Sequence, residues 1–250
     1  MINVILSGCN GKMGRVIAAL AKNDDAVNIV CGFDINTEEN DGFPVYSDYD
    51  KFTGKADVII DFSHPSNIEN LINYSEKNGI ALVVCTTGLS DEQKNKVLEC
   101  AKKVPVFFSA NMSLGVNLLV NLAKKATQIL EETFDIEIIE KHHNQKIDAP
   151  SGTAYMIADA IKDTMQNSAE YVYDRHDVRK KREKNEIGMH AIRGGTIVGE
   201  HSVIFAGTDE VIELKHTAMS KNVFAAGSIK AAKFLAGKGA GLYDMSDLMQ

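Results

Sequence analysis

Between Asn3 and Asn111 the chain alternates short, almost uninterrupted apolar runs with helical patterns. The strand-like runs are NVILSG (3–8), VNIVCGFD (27–34), ADVIIDFS (56–63), IALVVCTTG (80–88) and PVFFSAN (105–111). Helical segments sit between them: GRVIAALAKN after Gly14, HPSNIENLINYSEKN with Pro65 in its first turn and Gly79 just past its end, and SDEQKNKVLECAKKV. A strand that is apolar at every position is buried on both faces, and helices between successive strands supply the two covering layers. The pattern predicts a parallel α/β sheet.

After Asn111 the style changes. LGVNLLVNLAKKATQIL reads as a long helix, FDIEIIEKHH as a strand ending in a histidine pair, and SGTAYMIADAIKDTM as a helix. Residues 169–185 are polar and charged and read as a loop excursion. The segment from Ile187 to Met219 shows strands separated by glycine-containing turns, which points to an antiparallel or mixed open sheet. The last segment reads as a helix with a glycine-rich stop and a short tail. The expectation is a parallel α/β domain over residues 1–113 and 224–250, and an α+β domain over residues 114–223.

Composition narrows the function. Net charge is −7 with no basic domain, which argues against nucleic acid as a partner. The four cysteines, Cys9, Cys31, Cys85 and Cys100, have no metal-ligand spacing and read as reduced thiols of a cytoplasmic protein. The opening run is too short, and lacks the basic residues, for a signal peptide, and no apolar stretch is long enough to span a membrane.

SGCNGKMGR places Gly8, Gly11 and Gly14 between a strand and a helix. Glycines allow a tight turn and close approach to a pyrophosphate, and the helix N-terminus supplies N–H donors. Asp34 ends the next strand, about twenty residues on, where a carboxylate accepts hydrogen bonds from an adenosine ribose. Ile35 rather than an arginine follows it, which favours NADH over NADPH, although Lys12 and Arg15 remain alternative partners for a 2′-phosphate. CTTG (85–88), SANMS (109–113) and DFSHPSN (61–67) also follow strands, at the end where a parallel sheet builds its ligand crevice. His64 in the last of these suits a helix start as well as a ligand contact.

EKHHNQKIDAPSGTA (140–154) concentrates His142, His143 and Lys146 ahead of a helix start. Pro150 holds Ala149 extended, Ser151 suits an N-cap, and Gly152 and Thr153 open the helix. A helix N-terminus with a lysine beside it attracts a carboxylate, and histidine carries protons near neutral pH. The stretch reads as a dianion receptor with a proton donor attached. Adjacent strand residues point to opposite faces, so the histidine pair does not suit a shared metal, and no metal is expected.

Taken together, GCNGKMG, CTTG, SANMSLGVN, EKHHNQKIDAPSGTA and GLYDM, in that order along the whole chain, resemble the 4-hydroxy-tetrahydrodipicolinate (dihydrodipicolinate) reductase family of diaminopimelate and lysine biosynthesis. The resemblance implies a Rossmann-type domain to which the final helix returns, and a substrate domain whose sheet builds a homotetramer. It implies His142 as proton donor with Lys146 as its catalytic partner. His143, Gly152, Thr153 and Thr87 would bind a dicarboxylate substrate. Gly8, Cys9, Asn10, Gly11, Lys12, Met13, Asp34, Cys85, Thr86, Thr87, Ser109, Ala110, Asn111 and Met112 would line NADH or NADPH. Three positions depart from the family pattern: Cys85 stands where glycine is usual, either narrowing the nicotinamide approach or pointing away; Lys141 precedes the histidine pair; and Ile35 follows Asp34 where an arginine often follows the acid.

Two other readings fit the glycine loop alone: a dehydrogenase for another small imino or amino acid, and a non-catalytic NAD(H) sensor. Neither accounts for a proton donor beside a dicarboxylate receptor.

Overall fold

The structure is a computed structural model that describes residues 1–39 and 42–249. The chain divides into two compact units, Met1–Leu114 with Lys221–Gln250, and Gly115–Ser220.

The first unit opens with β1 (Ile2–Ser7), α1 (Lys12–Ala21) and β2 (Val27–Phe33). A two-residue strand, β3 (Val45–Tyr46), follows; its length is too short to carry a periodic signal. Then come β4 (Val58–Asp61), α2 (Ile68–Asn78), β5 (Ala81–Val84), α3 (Asp91–Cys100) and β6 (Pro105–Phe108). Helix α2 is preceded by a single 3₁₀ turn over Pro65–Asn67 and stops at Gly79, in the left-handed conformation at φ 65°. Helix α3 starts with a capping box between Ser90 and Gln93.

The second unit contains α4 (Leu114–Leu130), β7 (Asp135–His142), α5 (Gly152–Lys162), β8 (Glu170–Val172), β9 (Glu186–Arg193), β10 (Gly199–Ala206) and β11 (Val211–Ala218). The chain then returns to the first unit with α6 (Asn222–Leu235), β12 (Gly241–Tyr243) and α7 (Met245–Leu248). The tail after the glycine-rich stop is thus a seventh strand and a short helix. Three strand residues beside glycines are too few to read from pattern alone.

Among the described residues the first sheet has the order β12-β6-β5-β4-β1-β2-β3, with every pairing parallel. Side-chain alternation divides its apolar residues between two cores. Val4, Leu6, Ile60, Val83 and Phe107 face α1 and α6, meeting Ile17, Ala18, Ile229 and Leu235. Ile5, Ile59, Leu82, Val84 and Val106 face α2 and α3, meeting Ile68, Leu71, Val97 and Cys100. Burial on both faces is why these strands are apolar throughout.

The second sheet has the order β11-β10-β7-β9-β8 and is mixed: β7 is antiparallel to β10 but parallel to β9, and β8 is parallel to β9. Of the two alternatives, mixed and antiparallel, the sheet is the mixed one, and the glycine-separated β10 and β11 pair antiparallel. Strands β9 and β10 are consecutive but not neighbours, because β7 lies between them. One face carries the core: Ile136, Ile138, Ile187, Met189, Val203 and Phe205 pack on Leu119 and Ala123 of α4 and on Ile157, Ala158 and Ile161 of α5.

Residues 169–185 also depart from expectation. They include β8 and two arginines that fasten the segment to its own sheet. Arg182 donates to Glu137 Oε1 and Asp135 Oδ1, each at 3.0 Å, and to the carbonyl of Ile136. Arg175 donates to Glu186 and Glu137. Composition marked the segment as polar, but its acceptors lie far away in sequence. Among the described residues, no helix is long and apolar enough to cross a membrane.

Candidate active site

In the first unit, the loops after β1, β4, β5 and β6 gather at the carboxyl ends of the strands. Gly8 adopts φ 75°, and a Cβ there would meet the carbonyl oxygen of Phe62 at 2.5 Å. A Cβ on Gly14 would lie 2.2 Å from the Gly8 carbonyl oxygen. Both positions exclude any side chain, so the turn and α1 pack closely. The N-cap of α1 is Gly11, which has no side chain to cap the helix, and its first turn holds no acid. Such a helix start suits an anion.

Asp34 lies against this loop. Its Oδ2 accepts from the Asn10 N–H at 2.9 Å, and its Oδ1 accepts from the Asn36 N–H at 3.1 Å. The Asn10 side-chain amide donates to the carbonyls of Asn36 and Glu38 at 2.8 and 2.9 Å. Gly8, Asn10, Gly11, Asp34, Asn36 and His64 border a cavity of about 690 Å³. The backbone cradle, uncapped helix start and carboxylate fit a pyridine dinucleotide. His64 itself caps the turn before α2, its Nδ1 accepting from the Ser66 N–H at 3.2 Å. Arg15 is drawn to the loop from behind, its Nε donating to the Asn10 carbonyl at 3.1 Å.

The other predicted cofactor residues divide by orientation. Cys9, Met112 and Cys85 are buried in the core under α1 and α6, where Met13 also packs, so these side chains serve packing. Burial pushes the Cys85 thiol well above its ordinary value, with the charge of Asp61 adding to the effect. Its place in the core resolves the alternative left by the sequence: the thiol is packed inward. Thr86 is buried as well, its hydroxyl donating to Asp61 Oδ2 at 2.6 Å. Thr87, Ala110 and Lys12 are exposed. The Ser109 hydroxyl donates to the Asn111 carbonyl, and Asn111 Oδ1 accepts from the Ser113 N–H.

In the second unit, β7 delivers His142 and its alternation delivers Glu140. Ile136, Ile138, Glu140 and His142 share the face toward α4 and α5, so Glu140 occupies a core position, with only 1% of its side chain exposed. Each of its oxygens accepts two hydrogen bonds. Oε2 accepts from His142 Nδ1 at 2.6 Å and Arg193 at 2.7 Å; Oε1 accepts from Arg193 at 2.6 Å and the Ser151 N–H at 3.0 Å. Burial alone would push this carboxyl up. The hydrogen bonds and charges of His142 and Arg193 outweigh it and hold the group at about 2.

Ser151 caps α5, its Oγ accepting from the Ala154 N–H at 3.1 Å. The same hydroxyl pairs with His201 Nε2 at 2.9 Å. Burial, with the charge of His142 second, pulls His201 down to about 4, so its ring is neutral. In front of the α5 start the space is open: a Cβ on Gly152 would meet no atom within 4 Å. Thr153 follows in the first turn. Lys146, in the loop after β7, pairs with Asp148 at 2.8 Å. His143 lies just past the strand end and is half-buried. Lys141 points to the opposite face of the sheet, pairing with Glu200 at 3.4 Å.

Comparison with known proteins decides the family. Residues 2–112 match the model of the dihydrodipicolinate reductase N-terminus, and residues 115–249 match that of its C-terminus. The chain belongs to the dihydrodipicolinate reductase family. A 4-hydroxy-tetrahydrodipicolinate reductase of Caldanaerobacter subterraneus is 55% identical over 250 residues, covering 100% of this chain and 99% of that one. Its namesake from Clostridium novyi is 51% identical, with 100% and 99% covered. The fold matches that of a dihydrodipicolinate reductase from Paenisporosarcina sp. TG-14, solved with dipicolinate bound: the TM-score is 0.82 at 24% identity, covering 98% of this chain and 97% of that one. Family membership makes the chain an oxidoreductase that uses a pyridine nucleotide.

Sequence reasoning missed Glu140, Arg193 and His201 as members of the site. For Glu140 a signal existed: it is an acid at an inward position of an otherwise apolar strand face. Arg193 and His201 come from strands more than fifty residues away, and only sheet register brings them to His142.

Proposed function

We propose that the chain reduces 4-hydroxy-tetrahydrodipicolinate to tetrahydrodipicolinate, with His142 as proton donor and NADH as the preferred cofactor. One hydride and one proton enter the substrate and one water leaves. The observation that carries the reading is the His142–Glu140 pair beside the open start of α5, in a chain whose relatives are named for this reaction. When bound, the nicotinamide supplies the hydride. His142 delivers the proton to the ring. Gly152 and Thr153, at a helix N-terminus, hold one carboxylate, and Lys146 and His143 hold and neutralise the other charges. Thr87 would also take part in substrate binding.

Gly8 to Met13, Asp34, Cys85 to Thr87 and Ser109 to Met112 would hold the cofactor, with Cys9, Cys85 and Met112 contributing backbone. The NADH preference is supported by Asp34 and the exposed Ile35 that follows it. The first unit is read as the dinucleotide-binding domain. The second is read as the substrate domain, whose outward sheet face, with Ile139, Ile192, Ile204 and Val211 among charged pairs, would join four cytoplasmic copies.

The test is loss of nicotinamide absorbance with substrate generated in the cuvette from aspartate semialdehyde and pyruvate by its synthase, with NADH and NADPH in parallel. Synthase-dependent oxidation with a higher kcat/KM for NADH is expected. His142→Gln and Lys146→Met should each lower kcat by roughly 10²–10⁴-fold while leaving the protein folded. An unchanged kcat in both would remove the assignment.

A further inference from the structure

The ring of His142 has two distinct edges. Nδ1 meets Glu140 Oε2 at 2.6 Å. Nε2 faces the backbone of β10, where a Cβ on Gly199 would come within 3.1 Å of it. An ionised carboxylate can only accept, so the hydrogen between Glu140 and Nδ1 belongs to the ring. Glu140 is in turn gripped by both terminal nitrogens of Arg193, which stands opposite His142 on β9. A bare buried carboxylate beside an imidazole favours the imidazolium and holds its proton back. A bidentate guanidinium on the same carboxylate weakens that hold.

We propose that Glu140 and Arg193 act together as positioning residues for His142. Glu140 keeps hydrogen on Nδ1, so that Nε2 is the nitrogen that gains and loses a proton. Arg193 draws off enough of the carboxylate's charge for that proton to be released. The inference deepens the reading of His142 as proton donor and rests on it.

The charged and titratable groups around the ring are Glu140 on β7, Arg193 on β9, His201 on β10 with its ring centroid 5.3 Å away, His216 behind it on β11, and His143, Lys146 and Asp148 beyond the end of β7. Glu140 is the negative group in contact with the ring. Removing either partner should therefore move the titration of His142 in opposite directions. Glu140→Gln takes away negative charge and moves the midpoint to lower pH. Arg193→Gln takes away positive charge and moves it to higher pH.

The experiment is a nitrogen-15 NMR titration of histidine-labelled full-length protein, read alongside the pH profile of kcat. In the unmodified protein, neutral His142 should carry its hydrogen on Nδ1, with Nε2 titrating. The two variants should shift the midpoint by about one pH unit or more, with opposite signs, and the acidic and basic limbs of the kcat profile should follow. Arg193→Lys should restore most of the unmodified profile. Loss of kcat in Glu140→Gln should reach roughly tenfold, a part of what a proton donor contributes. A neutral His142 carrying hydrogen on Nε2 in the unmodified protein overturns the proposal, and this readout needs no variant to fold. Shifts of the same sign, or none, overturn it too. Because the NMR readout needs no turnover, a failure of the substrate assignment stays distinguishable from a failure of this one.

Discussion

Two buried strand carboxylates, Asp61 in the first unit and Glu140 in the second, are treated in opposite ways. Asp61 in the first unit sits at the end of β4 and is 0% exposed. Its partners are neutral: the Thr86 hydroxyl at 2.6 Å and the Ser63 N–H at 3.2 Å. Burial dominates and pushes its carboxyl up. Glu140 in the second unit has His142 and Arg193 as partners and is held down at about 2. Both side chains are hidden from solvent, yet their shifts are opposite. A hydroxyl partner meets the hydrogen-bonding demand but not the charge, whereas a guanidinium meets both. The second unit sets its buried acid against the His142 ring.

The harshest way to break this comparison is to delete one acid from each unit. Glu140→Ala leaves Arg193 and the Ser151 N–H without their acceptor, and should cost the second unit about 3–5 kcal/mol. Chemical denaturation should then show that unit unfolding first. Equal loss in Asp61→Ala and Glu140→Ala would erase the distinction.

Acid sharpens it. Glu140 is depressed from 4.5 to about 2, so its contribution is present above pH 4.5 and lost as pH falls toward 2. The shift corresponds to about 3 kcal/mol. His201, depressed from 6.5 to about 4, acts in the same sense: the unfolded chain takes up a proton below pH 6.5 that the folded site refuses until about pH 4. Asp61 acts in the other sense. Its stabilising contribution is complete below 3.8 and lost as pH rises through its raised value. Far-ultraviolet and intrinsic-fluorescence melts between pH 7 and 3 should therefore show the second unit losing stability first.

A smaller effect is expected from Asp61→Asn. The amide keeps an acceptor for Thr86 and removes the cost of burying charge, but turns its NH2 toward the Ser63 N–H, so stability at pH 7 should fall by about 1–3 kcal/mol at most. The variant should gain stability relative to the parent as pH rises, which a pair of melting curves would reveal. Smallest of all is Lys141→Leu. The pair with Glu200 lies at 3.4 Å on the outward face and is partly exposed, so its loss should cost no more than about 1 kcal/mol. A larger loss in the assembled protein, measured by sedimentation against concentration, would point to that face being buried between copies.

Much of the architecture was legible because it rests on local repetition. Apolar strands with helices between them specify a covered parallel sheet, since only burial on both faces tolerates that pattern. Gly8 and Gly14 were legible for a steric reason that any side chain would violate. Ser151 was legible as a cap because capping spans three residues. The 169–185 segment was not legible: β8 and the arginine contacts depend on acceptors at Asp135 and Glu137, which chain order does not place nearby. Nor was the strand order of the second sheet, because β7 inserts between β9 and β10, which follow one another in sequence.

The candidate site divides along the same line. Sequence by itself marked the glycine loop, the helix start at Gly152 and the cluster of His142, His143 and Lys146, because each is a short-range pattern. Tertiary structure alone decided which side chains face the core and which surround His142. Cys85 and Thr86 turned inward, and Glu140, Arg193 and His201 were assembled from three strands. Strand register sets those contacts, and register is a property of the whole sheet, not of any segment in it.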